Sequence, residues 1–199
     1  MRNWNILLKL FFAATVLINM AYALQEDNIL PTMREKIESA TKILQDSTLE
    51  KHKKQEKIFE SFDSVFDYGL MSKLSLGKQW NSLDAKQKDI FTKSFEQKLK
   101  AAYIDKLYLY NNQEVIVKDI LKLKDSRIEL NMQIIGEKEA FEIIYKFYKD
   151  PSDEWFIYDV NILGVSIIQT YRNQFVGVLQ KDSFEDLIER LNKVEAVTK

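Results

Sequence analysis

The chain has no cysteine, a single histidine, two prolines and five glycines among its 199 residues. Without cysteine there is no disulfide, no thiol nucleophile and no thiolate metal site, so the fold must hold by packing alone. The one histidine, His52, lies in the charged run Glu50-Lys51-His52-Lys53-Lys54 and reads as a solvated side chain. There is no low-complexity segment and no repeat, and with so little proline and glycine Gly69 and Gly77 are the only hinge candidates in the helical half. An excess of basic charge is also missing. Lys+Arg number 29 against 30 Asp+Glu, which argues against nucleic acid as a partner. No nucleophile elbow, glycine-rich phosphate loop or histidine-rich metal motif occurs. The sequence therefore predicts a protein that is not an enzyme and needs no cofactor.

The first 23 residues set the expected compartment. Arg2 and Lys9 precede an apolar run from Leu10 to Met20, and Ala21-Tyr22-Ala23 offers small residues where a signal peptidase reads. That run is about half the roughly 20 residues a membrane span needs. A cleaved signal peptide over 1–23 and a periplasmic domain over 24–199 are expected. The leader holds two basic and no acidic residues, leaving a mature net charge of −3. With no cysteine after the cleavage site, there is none to carry a lipid anchor.

From Met33 the apolar residues recur at helical spacing, after a short lead-in over Gln25–Thr32. Helices are predicted to about Asp67, over Phe66–Leu74 with Gly77 as the stop, and from a cap at Ser82 or Asp84 to about Leu107. At Asn111-Asn112 the period changes to two. Strands follow over Glu114–Leu123, Arg127–Ile135, Ala140–Tyr148 and Trp155–Ile162, joined by short turns, which implies an antiparallel meander. Val115, Val117, Leu121 and Leu123 are expected on one face of the first strand. In the last strand Phe156, Tyr158, Val160 and Ile162 are expected to face one way, with Trp155 and Ile157 opposite. Helices over Ser166–Gln180 and Ser183–Val194 close the chain. The class is α+β, a four-stranded antiparallel sheet covered by N-terminal and C-terminal helices. The surplus of apolar positions, with 12 Phe and 9 Tyr, fits either a plain core or an apolar cavity between sheet and helices.

The last third carries an ordered signature: Trp155-Phe156-Ile157-Tyr158-Asp159-Val160, Gly164-Val165-Ser166, Tyr171-Arg172-Asn173-Gln174-Phe175, and Phe184 to Leu191. Phe66-Asp67-Tyr68, Leu76-Gly77-Lys78-Gln79-Trp80 and Gln87 to Phe91 precede it. In order and spacing these resemble the MlaC, or toluene-tolerance auxiliary, family across nearly all of 33–194. Leu163 departs from the pattern, since the family commonly has an acidic residue there.

The resemblance implies a nuclear-transport-factor-like cone whose apolar cavity holds a phospholipid by its acyl chains. It implies transfer between an outer-membrane lipoprotein–porin complex and an inner-membrane ABC transporter with an MCE-domain subunit. The lining residues expected are Tyr103, Leu107, Val117, Leu130, Met132, Ile134, Tyr145, Phe147, Val165, Tyr171 and Phe175. Arg172 is the candidate at a headgroup rim, or else the partner of Asp159 or another acid in a structural ion pair. Gly164 and Ser166 are expected to shape a turn and cap a helix. Two rivals remain: a chaperone-like module that binds protein, and an enzyme on the same fold, for which Asp159, Tyr171 and Arg172 are the only polar cluster available.

Overall fold

The computed structural model describes residues 24–107, 112–136 and 139–193, with 103–107 as helical backbone. The expected signal peptide, the end of the last helix at Val194, and the side chains of Tyr103 and Leu107 lie outside the described residues. The elements run α1 (Glu26–Gln45), α2 (Lys51–Asp63), α3 (Tyr68–Leu76), a 3-10 turn (Gly77–Ser82), α4 (Ala85–Leu107), β1 (Glu114–Lys124), β2 (Arg127–Ile135), β3 (Ala140–Lys149), β4 (Trp155–Ile162), β5 (Val165–Ser166), α5 (Ile167–Leu179) and α6 (Phe184–Asn192). The sheet is antiparallel in the order β1-β2-β3-β4-β5. The expected α+β class holds, with a fifth, two-residue strand added at the edge.

The caps explain several boundaries. Asp67 accepts from the Leu70 amide and starts α3. Asp84 and Gln87 exchange backbone and side-chain bonds of 2.8 and 3.0 Å ahead of α4. Ser166 accepts from the Gln169 amide at 3.0 Å and starts α5. Gly77 ends α3 at φ +57°, and a Cβ there would meet the Arg172 guanidinium at 2.9 Å. The positive φ demands glycine, and any side chain there would also displace the Arg172 guanidinium.

The lead-in is not a lead-in. The first helix begins at Glu26 and contains Pro31. Leu24, Ile29, Met33 and Ile37 are buried in the same cluster as the sheet, and that burial outweighs the missing donor of a proline within two turns of the helix start. The Leu24 carbonyl also accepts from the Trp155 amide at 2.8 Å, and Val65 to Asp67 bond to both sides of Ile157. Leu24, the Val65–Asp67 segment and β5 thereby occupy the outer edge of β4, which would otherwise be an open template for pairing.

Two β-bulges change the expected faces. Between Val117 and Ile120 the register on β2 slips by one residue. Ile120 therefore joins Val115 and Val117 on the core side, and Leu121 and Leu123 turn outward, 51% and 52% exposed. In β4, Lys146 pairs with Asp159 while Phe147 pairs with Ile157, leaving Tyr158 as the extra residue. Trp155 and Ile157 consequently share the core face with Val160 and Ile162. Phe156 and Tyr158 lie on the outer face, in ring contact with Tyr148. A bulge advances the alternation by one position, so a strict period of two fails beyond it.

Two apolar clusters result. One joins α1 and Val65 to the core face of the sheet. The other is helical, built from Met71, Leu76, Phe91, Phe95, Leu99, Ile168, Phe175, Leu187 and Leu191. Phe66 and Ile167 pack against both.

Candidate functional site

Directly opposed residues of neighbouring strands share a face, so the register assembles the core face row by row. Ile120, Leu130, Tyr145 and Val160 form one row. Val117, Met132, Ile143, Ile162 and Val165 form the next. Val115, Ile134 and Phe141 form the last. Burial falls steadily in that direction. Phe147, Leu130 and Ile157 are 0% exposed, while Tyr145, Ile143, Ile162, Val117 and Ile134 are only half-buried. At the far end Phe141 is 37% and Val165 59% exposed. The face is sealed where α1 and Trp155 pack on it and opens toward the Phe141 end of β3.

This face gathers Val117, Leu130, Met132, Ile134, Tyr145, Phe147 and Val165 from the expected lining set. Leu130 and Phe147 are buried core toward its closed end, and Met132 is buried in the middle row. Val165 sits at its open edge. Ile143 and Ile162 belong to it equally and were missing from the expected set. Alternation alone puts Ile143 beside Tyr145 and Ile162 beside Val160, and the register adds that both stand in the row between Met132 and Val165.

Tyr171 and Phe175 lie elsewhere. Their rings pack edge-on against Phe95, with centroids 5.0 and 5.4 Å away, inside the helical cluster. Arg172 lies over Gly77 at the end of α3 and does not pair with Asp159. Asp159 is buried and accepts from Lys146 Nζ at 3.1 Å, Ser166 Oγ at 2.8 Å and the Ile168 amide at 3.2 Å. The segment from Asp159 to Ser166 is thus a lock that fixes the start of α5 on the sheet. Leu163 and Gly164 make the tight turn within it, at φ +51° and +79°.

Tyr145 is peculiar. Burial alone pushes its hydroxyl up to about 12, so protein surrounds it, yet the residue retains accessible surface. On the outer face, Tyr148 donates to the Asp67 carboxylate in a short hydrogen bond; burial first, and then that bond, raise its hydroxyl well above the usual phenol range.

A separate open groove of about 470 Å³ runs between α3, α4 and Tyr148, lined by Leu70, Lys73, Trp80, Lys88 and Thr92 among others. None of the expected lining residues borders it. Among the described residues no acid–histidine cluster could hold a metal, and no helix is long and apolar enough to cross a membrane.

The comparisons with known proteins bear on this arrangement. The family model described as "MlaC protein" matches residues 34–193. The intermembrane phospholipid transport system binding protein MlaC of Haemophilus influenzae is 29% identical over 122 residues, covering 59% of this chain and 57% of that protein. The toluene tolerance protein ttg2D of Pseudomonas putida is 25% identical over 115 residues, covering 57% and 53%. The chain thus spans just over half the length of these curated relatives. The phospholipid-binding protein of Ralstonia solanacearum, solved in complex with a phospholipid, superposes with a TM-score of 0.70 at 21% identity, covering 81% of this chain and 93% of that one. That likeness shows a shared fold. With a family match extending from the first buried helix to the end of α6, the chain belongs to the MlaC family.

Proposed function

We propose that this protein is a periplasmic phospholipid carrier that takes acyl chains onto the open half of the sheet's apolar face. The supporting observation is the gradient along β3: a face apolar in its three opposed rows but for the Tyr145 hydroxyl, sealed at Phe147 and half-open from Tyr145 to Phe141. Two relatives named for phospholipid binding or phospholipid transport agree with it. Each buried methylene contributes about 0.8 kcal/mol, so two chains hold firmly without a charged contact. Val117, Ile134, Ile143, Tyr145, Ile162 and Val165 line the opening, and Leu130, Met132 and Phe147 form its floor. Tyr103 and Leu107, from the end of α4, belong to the same proposed lining. Tyr171, Phe175 and Arg172 act at one remove, by holding α5 against α3 and α4.

In this reading the protein shuttles lipid between an outer-membrane lipoprotein–porin complex and an inner-membrane ABC transporter bearing an MCE-domain subunit. A second reading, a module that binds protein without lipid cargo, draws on the groove at Trp80, where Lys88 stands over the indole ring at 5.7 Å. Native mass spectrometry of the protein purified without detergent, followed by lipid extraction, separates the two. About one phospholipid per chain is expected. A chain that stays lipid-free after incubation with phospholipid vesicles and a donor partner would overturn the carrier reading in favour of the second.

A further inference from the structure

Tyr145 is a polar residue in an apolar wall. Its cross-strand neighbours are Leu130 and Val160, and its neighbours along the same face of β3 are Ile143 and Phe147. Its hydroxyl makes no hydrogen bond among the described residues. Its oxygen is not among the side-chain atoms that are both buried and unpartnered, so it stays reachable by a small group in the apolar wall. The hydroxyl is therefore not engaged by the folded chain itself. The row in which it stands is the boundary between the sealed and the open halves of the face. A group entering from the open end reaches Tyr145 before it meets the closed floor.

We propose that the Tyr145 hydroxyl is a binding point for a neutral carbonyl of the cargo, the ester carbonyl of a diacyl glycerolipid, to which it donates a hydrogen bond. The inference rests on the carrier reading and narrows its substrate class. Three parts of such a lipid could approach. The acyl chains carry no acceptor. A charged headgroup drawn into an apolar wall with one hydroxyl as its only partner would lose far more hydration than it regains. The ester carbonyls lie between the two, are neutral, and are acceptors that a phenol satisfies well. Burial reinforces the assignment by keeping the phenol protonated, so it stays a donor at any physiological pH. The bond fixes how deep the chains sit, and it selects ester-linked over ether-linked lipids of the same length and headgroup.

The test is a competition. Purified full-chain protein is incubated with equimolar diacyl and dialkyl-ether phosphatidylglycerol of matched chain length, and the bound ratio is read by native mass spectrometry. The expected ester preference is roughly three- to tenfold, the ratio that one neutral hydrogen bond supplies. Tyr145→Phe, which keeps the ring, is expected to load both lipids at a ratio near one. Equal loading by the unmutated protein, which needs no variant to interpret, would overturn the assignment while leaving the carrier reading intact. So would an ester preference that survives in Tyr145→Phe. Retention of neither lipid would sink the carrier reading, and this inference with it.

Discussion

Asp159 is the residue whose removal tests the architecture most severely. Its carboxylate is 8% exposed and its partner Lys146 22%, so the pair is largely withdrawn from water. Asp159→Ala strands three donors at once: the Lys146 ammonium, the Ser166 hydroxyl and the Ile168 amide. Breaking a buried pair by deleting one member costs about 3–5 kcal/mol. Lys146 can swing its head partly to solvent on a flexible stem, which places the expected loss near the lower end, at about 3 kcal/mol. For a domain of this size that is a fall of roughly 6–12 °C in Tm. Asp159→Asn keeps one oxygen for the Ile168 amide and gives up the charge pairing, so its cost is smaller, about 1–2 kcal/mol. Urea unfolding of the two variants, with Lys146→Met and the Asp159→Ala/Lys146→Met double variant, closes a thermodynamic cycle in which a coupling of about 1–2 kcal/mol is expected. A loss below about 1 kcal/mol for Asp159→Ala, or strict additivity in the cycle, would refute the view that this carboxylate locks α5 to the sheet.

Two further outcomes follow from single residues. Leu163 holds φ +51° while 58% exposed, a conformation that costs an ordinary side chain about 1 kcal/mol and asparagine much less. Leu163→Asn is expected to raise stability by about 0.5–1 kcal/mol in urea unfolding, and a loss would show that the leucine makes a contact worth more than its strain. Tyr145 governs the alkaline limb of stability. Its folded pKa, about 12, lies above the roughly 10 of an unfolded tyrosine, so the folded state binds the extra proton between those values. The stability it protects is complete below pH 10 and declines as pH rises toward 12, by about 1.4 kcal/mol per pH unit. Urea curves at pH 9 and pH 11 should show that decline diminished in Tyr145→Phe; an identical decline in both proteins would contradict the burial of the hydroxyl.

What the sequence made legible, and what it hid, divides along a physical line. Local signals act over a few residues and were readable: the alternation in Arg127–Ile135, the Gly77 stop, the Asp84 and Ser166 caps. A β-bulge is a one-residue slip between two strands, invisible to either strand read alone, which is why alternation puts Leu121 and Leu123 on the face of Val117 and sets Trp155 and Ile157 opposite Val160. Pro31 misled for the complementary reason. Its local cost is real, but the burial of Ile29 and Met33 on the sheet lies beyond any local window. The candidate site obeys the same division. Its strand members could be named because alternation marks a face, and the register sets Ile143 and Ile162 in the row between Met132 and Val165. Its helical members could not, because the stripe holding Tyr171 and Phe175 says only that one side of α5 is buried, and that side meets Phe91 and Phe95, not the sheet. The departure at Leu163 also changes meaning once φ is known. An acidic side chain tolerates the left-handed turn better than leucine does, so what this position asks for is a backbone shape. The face proposed for lipid is therefore a property of rows, not of residues: it exists only where five strands bring Val117, Met132, Ile143, Ile162 and Val165 abreast.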